Sequence, residues 1–291
     1  MTFALSEIIS MRGYAIHSGE RSEVTVLPSE SAVLPSESAG LPSESAGLRW
    51  QTDANSRAVL LSRRDYHACV QTSLVSVGRA QVRCPEHLLA ALALHDIRSA
   101  TVRTTNVQEL PVFPEAGGSY YDQLVVDNIT DTLSGHKPES TGVRPYELMD
   151  EHSRYFISPG TAFSCEVQFT APNGASSSAL ITQDELTSGR SSAKERISRA
   201  RTWIRWEDHE EILQRGLCKG LGKTRWCRVL RKEDFDTDDV VTECTEHKLY
   251  DLLGDLYLLG YWPPVKIVAT NPSHRLNVVI LNYLSSFSLT G

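Results

Sequence analysis

His247, Asp251 and Asp255 stand four residues apart in the stretch EHKLYDLLGD, residues 246–255. On a helix, residues at i, i+4 and i+8 lie along one face. An imidazole and two carboxylates would then project from one side, with Leu249, Leu252, Leu253, Leu256 and Leu259 covering much of the rest. A polar stripe on an otherwise apolar helix costs stability unless something pairs with it. Imidazole and carboxylate at i, i+4 can converge on one divalent ion. A hydrogen-bonded surface pair is the plainer reading, and spacing alone does not choose between them. Two further histidines could join: His87, which follows Glu86 in CPEHLLAALALHDI, and His274, in or just after a loop in NPSHRLN. A third ligand from His87 would leave one position for water, the arrangement of a hydrolytic site. The bland alternatives are a favourable charge near a helix N-terminus for Glu86, a buried hydrogen-bonding carboxylate for Asp255 and a capping or surface histidine for His274.

The elements that must position these groups alternate between strand and helix. RGYAIHSGERSEVTVLP alternates polar and apolar residues like a hairpin, with the turn near Ser18-Gly19. CPEHLLAALALHDI has helical spacing of its leucines, with Pro85 suited to the first helical position. SATVRTT and AFSCEVQFTA read as strands, and KERISRARTW and WEDHEEILQRG as helices, followed by the helix headed by His247. PVKIVAT reads as a strand and LNVVILNYL as a strand or a helix. The polar stretch around GHKPESTG is the best linker. The pattern predicts an α+β chain of two domains, 1–138 and 139–291. The segment 27–47 repeats LPSESA-type heptads three times, and its prolines rule out a continuous helix; it reads as a mobile, dispensable loop between two strands.

Composition narrows the function. With 291 residues, 41% of them apolar, the chain can bury a full core. A net charge of −7 argues against non-specific binding to nucleic acid or to an anionic membrane. No window approaches the roughly 20 apolar residues of a membrane span, and Glu7 interrupts the only apolar start that could serve as a signal peptide. The six cysteines form no CxxC pair and read as free thiols of a reducing compartment, so a cytoplasmic protein is expected. GLCKGLGKT imitates a phosphate-binding loop but has Leu217 where that motif needs glycine.

Taken in order, the motifs resemble the zinc-dependent UDP-3-O-acyl-N-acetylglucosamine deacetylases of lipid A biosynthesis. GYAIHSGE, EHLLAALALHDI, ELPVFPEAGGS, ISRARTW, RGLCKG, HKLYDLLGDLYLLG and SHRLN each match a family segment, and together they span nearly the whole chain. The resemblance implies two similar two-layer α/β sandwich domains with the active site at their interface, and an acyl-passage insert at about 203–222. It implies His87, His247 and Asp251 as ligands of Zn2+, with Fe2+ able to suit the same set. Glu86 would be the general base, His274 a cation that stabilises the oxyanion and protonates the leaving amine, and Asp255 its hydrogen-bond partner. Thr202 would donate to the oxyanion, Lys248 would meet the substrate headgroup, and Trp203 would lie near the nucleotide. The implied partner is a UDP-acylglucosamine, with no nucleic acid, no stable membrane insertion and a monomeric chain.

The departures lie among substrate contacts. Glu115 stands where the family has an aspartate, FTAPNG lacks the family histidine, FISPGTAF lacks its lysine, and KTRWCRV lacks its asparagine. A different N-acetylated nucleotide sugar or glycolipid is therefore an alternative substrate, and an inactive binding paralogue the remaining one.

Overall fold

The computed structural model describes residues 2–28, 47–53, 56–69, 71–105, 107–129 and 142–287. The body of the LPSESA repeat, most of GHKPESTG and the expected boundary at 138/139 lie outside these residues. The helices are Glu86–Leu94 (α1), Tyr120–Gln123 (α2), Gln183–Thr187 (α3), Ser192–Arg199 (α4), Trp206–Gln214 (α5), Asp238–Leu256 (α6) and His274–Ser285 (α7).

Two five-stranded sheets carry the fold. In the first, the strands lie in the order Ile9–Tyr14, Arg21–Pro28, Ala100–Arg103, Leu48–Gln51, Val59–Leu60. In the second, the order is Tyr146–Met149, Arg154–Pro159, Val265–Thr270, Ser164–Thr170, Ser176–Thr182. Both orders are the same when each set is counted along the chain. In both, the last strand lies antiparallel to the second and parallel to the third. The chain is thus α+β with one topology used twice. Pro28 and Leu48 flank Ala100 from opposite sides, so strands bracket the repeat segment as expected.

The central helices explain themselves by burial. All nine residues of α1 are buried, matching a leucine- and alanine-rich helix apolar all round. Fourteen of the nineteen residues of α6 are buried, although its first turn is acidic, a placement that suits a helix N-terminus. α6 packs on the strands Ser164–Thr170 and Ser176–Thr182 and against α1. Contact with α1 is so close that a side chain at Gly254 would overlap the backbone carbonyl of Glu86. One apolar cluster runs through both sheets and both helices.

Several boundaries differ from the sequence reading. α6 starts at Asp238, so His247 lies in its middle rather than at its head. The leucine-rich half alone signals a helix, while DDVVTECTE is too polar to extend the pattern. KERISRARTW is not one helix. α4 ends at Arg199, and Thr202–Arg205 is a strand paired parallel to Cys227–Leu230, with α5 between them. Pro85 occupies the N-cap rather than the first turn, and LNVVILNYL is helical, within α7. A three-stranded sheet, Tyr66–Cys69, Thr72–Val77 and Ala80–Arg83, was not anticipated.

Candidate metal centre

α1 and α6 meet where His87 faces His247 and Asp251. The two imidazole centroids are 5.1 Å apart, and the three side chains offer atoms within 4.8 Å of one another, all buried. Each histidine donates from Nδ1 to a backbone carbonyl: His87 to Val112 at 2.8 Å and His247 to Ala200 at 3.0 Å. A carbonyl can only accept, so each Nδ1 carries a proton and each neutral ring turns an Nε2 lone pair inward. Those two Nε2 atoms stand 3.2 and 3.4 Å from Asp251 Oδ1. That oxygen is buried and takes no hydrogen bond among the described residues. Three lone pairs facing one another at this separation suit a cation between them. Two ligand atoms held about 2 Å from one tetrahedral ion stand roughly 3.3 Å apart, so the donor set fits a divalent metal.

Burial would lower the His87 pKa, but the Asp251 carboxylate beside it raises it above the ordinary value. Burial instead takes His247 down to about 4, so that ring stays neutral. Burial would raise Asp251, yet His247, His87 and His274 together hold it well below the usual carboxylate range. Phe113 stacks on the His87 ring at 4.8 Å, and Tyr250 bonds from its hydroxyl to the His87 carbonyl at 2.7 Å. The turn of α1 that carries His87 is therefore fixed on both sides.

Glu86 sits beside His87 but points to the three-stranded sheet. Thr72 Oγ1 donates to its Oε1, and the Ser73 amide approaches its Oε2 at 3.4 Å. Burial raises the Glu86 pKa, while the charges of His274 and His87 oppose the shift. His274 is the first residue of α7, where the helix dipole disfavours a cation. Asp255 overrides this: its Oδ2 lies 2.8 Å from His274 Nδ1. Burial alone would lower the His274 pKa, but Asp255 raises it to about 10. The His274 Nε2 edge then faces Asp251 at 3.8 Å. Asp255 is itself fully satisfied, accepting also from Tyr66 at 2.6 Å, Ser73 at 2.7 Å and Asn277 at 2.7 Å.

A cavity of about 360 Å³ opens over these groups and is lined by Glu86, His87, His247, Asp251 and His274. Thr202, Trp203 and Lys248 line it too. Trp203 also packs edge-on against Phe169 and Phe235, at 5.4 and 5.7 Å, so much of its ring serves a small aromatic core. Ile204 and Ile212 give one side of the cavity an apolar wall. Glu115 pairs with Arg21 at 2.6 Å. Sequence reasoning missed Tyr66, Thr72 and Ser73, which hold Asp255 and Glu86; no motif marks the strands that carry them. Asn277 was visible as the last letter of SHRLN, but without a role.

A family model described as UDP-3-O-acyl N-acetylglycosamine deacetylase (LpxC) matches residues 3–286. The chain belongs to this family. Among its relatives, the UDP-3-O-acyl-N-acetylglucosamine deacetylase of Trichormus variabilis is 28% identical over 297 residues, covering 98% of each chain. That of Nostoc sp. is 25% identical over 296 residues, again 98% of each. That of Vibrio cholerae is 27% identical over 290 residues, 95% of this chain and 87% of its own. As a member of this deacetylase family, the chain is an enzyme. None of its described helices is long and apolar enough to cross a membrane.

Proposed function

We propose that this chain is a zinc-dependent deacetylase that hydrolyses the N-acetyl group of UDP-3-O-acyl-N-acetylglucosamine. The observation that carries the reading is the unpartnered Asp251 Oδ1 under two inward-facing imidazole nitrogens. His87, His247 and Asp251 would hold the ion; nitrogen and oxygen donors suit zinc, and iron fits the same set. When bound, such an ion lowers the pKa of adjacent water toward about 7 and polarises an amide carbonyl.

The chain's own groups account for the proton movements. Glu86, ionised, takes a proton from the attacking water as its oxygen bonds to the carbonyl carbon. Thr202 donates to the oxygen on which negative charge develops. His274, held protonated by Asp255, adds electrostatic support and gives its Nε2 proton to the amide nitrogen as the C–N bond breaks. Acetate and a free amine result, and one water is consumed. Lys248 meets the polar headgroup, and the apolar insert wall of Ile204 and Ile212 suits an acyl chain. Trp203 offers an indole edge toward the nucleotide. Every group named belongs to one chain, so a monomer suffices. Six free cysteines suit a reducing compartment, the cytoplasm.

Mass spectrometry of acetate release from a panel of N-acetylated UDP-sugars, with and without a 3-O-acyl chain, tests this reading. The acylated glucosamine derivative should be turned over fastest. Turnover of another sugar in its place would overturn the substrate assignment, and no acetate from any of them would overturn the activity.

A further inference from the structure

A second group of ligand-type side chains lies beside the first. His17, Cys84 and Glu109 are buried, and each offers an atom within 4.8 Å of the others. They come from separate segments: the turn after the strand Ile9–Tyr14, the residue two before α1, and the stretch bridged to Arg83. Cys218 joins from a fourth, because the amides of Lys219 and Gly220 bond to the carbonyls of His17 and Ile16 at 3.1 and 2.9 Å.

The spacing is one that the ligands of a single ion would have. Cys84 Sγ stands 3.6 Å from Glu109 Oε1, and Cys218 Sγ 3.6 Å from His17 Nδ1. A sulfur at about 2.3 Å and a nitrogen or oxygen at about 2.1 Å from one tetrahedral ion stand roughly 3.6 Å apart. Both cysteines also hold left-handed backbone, φ 57° at Cys84 and 54° at Cys218. That conformation is uncommon outside glycine, and strained backbone gathers at functional sites. Glu109 is pinned by the amides of His17 at 2.7 Å and Ser18 at 2.8 Å, one to each oxygen, which leaves each oxygen a second lone pair.

We propose that His17, Cys84 and Glu109 form a second divalent-metal site, with its fourth position toward Cys218 and the cavity, taking zinc or another thiophilic ion. Binding exchanges one proton for the metal: the Cys84 thiol loses H⁺ and its sulfur bonds to the ion. The thiolate and the Glu109 carboxylate then balance the two positive charges, so the buried site is neutral. The ion would tie the hairpin turn, the approach to α1 and the 218 loop into one rigid wall of the cavity.

Cobalt(II) titration of the metal-stripped full chain tests this apart from catalysis. The His87–His247–Asp251 centre contains no sulfur, so a thiolate-to-cobalt charge-transfer band belongs to the second site. Two equivalents should bind, with the sulfur band saturating at one equivalent, persisting in Asp251→Ala and lost in Cys84→Ser. Binding without a sulfur band overturns the proposal, as does a band that survives in Cys84→Ser. The wild-type spectrum decides the matter even if a variant fails to fold. Absence of deacetylase activity would leave the spectral result standing.

Discussion

Asp255 holds His274 through a 2.8 Å contact to Nδ1 while accepting three more hydrogen bonds, from Tyr66, Ser73 and Asn277. One carboxylate thus fixes the orientation of the imidazole and its charge, and four segments of the chain meet at that point.

The pH dependence of turnover follows from opposed protonation needs. In the proposed mechanism Glu86 acts ionised and His274 protonated, so kcat/KM should be bell-shaped. Burial raises the Glu86 pKa, so the acid limb should lie above the usual carboxylate range. The alkaline limb should reflect His274, whose value Asp255 pushes up to about 10. Asp255→Asn should move the alkaline limb to lower pH. An unmoved limb would mean that another group sets it.

Stability should carry the same signature in the metal-free chain. The His274 pKa is raised on folding, from about 6.5 in the unfolded chain, so its contribution is complete below that pH. It should fade as pH rises toward about 10. Urea midpoints between these values should fall in the wild type and fall less in His274→Phe.

Removing the proposed base, Glu86, should separate chemistry from binding. Glu86→Gln should retain metal yet lose about 10²–10⁴-fold in kcat, the usual scale for a general base. Thr72→Val should have a milder effect: it deletes the hydroxyl bonded to Glu86 Oε1, which stabilises the ionised form, and so should shift the acid limb upward. Parallel metal analysis and pH–rate profiles check both.

Metal should stabilise the fold, because the unfolded chain has no assembled site. Zinc at 100 times its dissociation constant should add about 2.7 kcal/mol, read as a rise in thermal midpoint. Affinity should increase with pH, since protons compete with the metal for His87 and Asp251 raises the His87 pKa. Asp251→Ala should lose the part of the rise that belongs to this centre.

Gly254→Ala probes the seam between α1 and α6. Its methyl would overlap the Glu86 carbonyl, so the helices must part. Overpacking of this kind costs about 1–3 kcal/mol or more, and here it would also displace both ends of the metal centre. Denaturant midpoint and activity should fall together; an unchanged midpoint would mean that the contact is soft.

Much of the site was legible because spacing on a helix is a local property. His247, Asp251 and Asp255 could be placed on one face from the sequence, and leucine periodicity marked α1. Which partners that face meets was not legible, since His87 lies 160 residues away in sequence and only tertiary packing brings it near. The α6 start was missed because tertiary burial, not apolar periodicity, keeps DDVVTECTE helical. Thr202 fell in the wrong element because ISRARTW matches a motif without revealing where helix gives way to strand. The three-stranded sheet went unseen because its strands are short and mixed, and the donors that tune Glu86 and Asp255 went with it.

Anomalous diffraction at the zinc edge, from crystals grown with zinc, tests the central claim most directly. A peak should lie about 2 Å from Nε2 of His87, Nε2 of His247 and the Asp251 carboxylate. Zinc bound elsewhere with no peak among those three side chains would contradict the account.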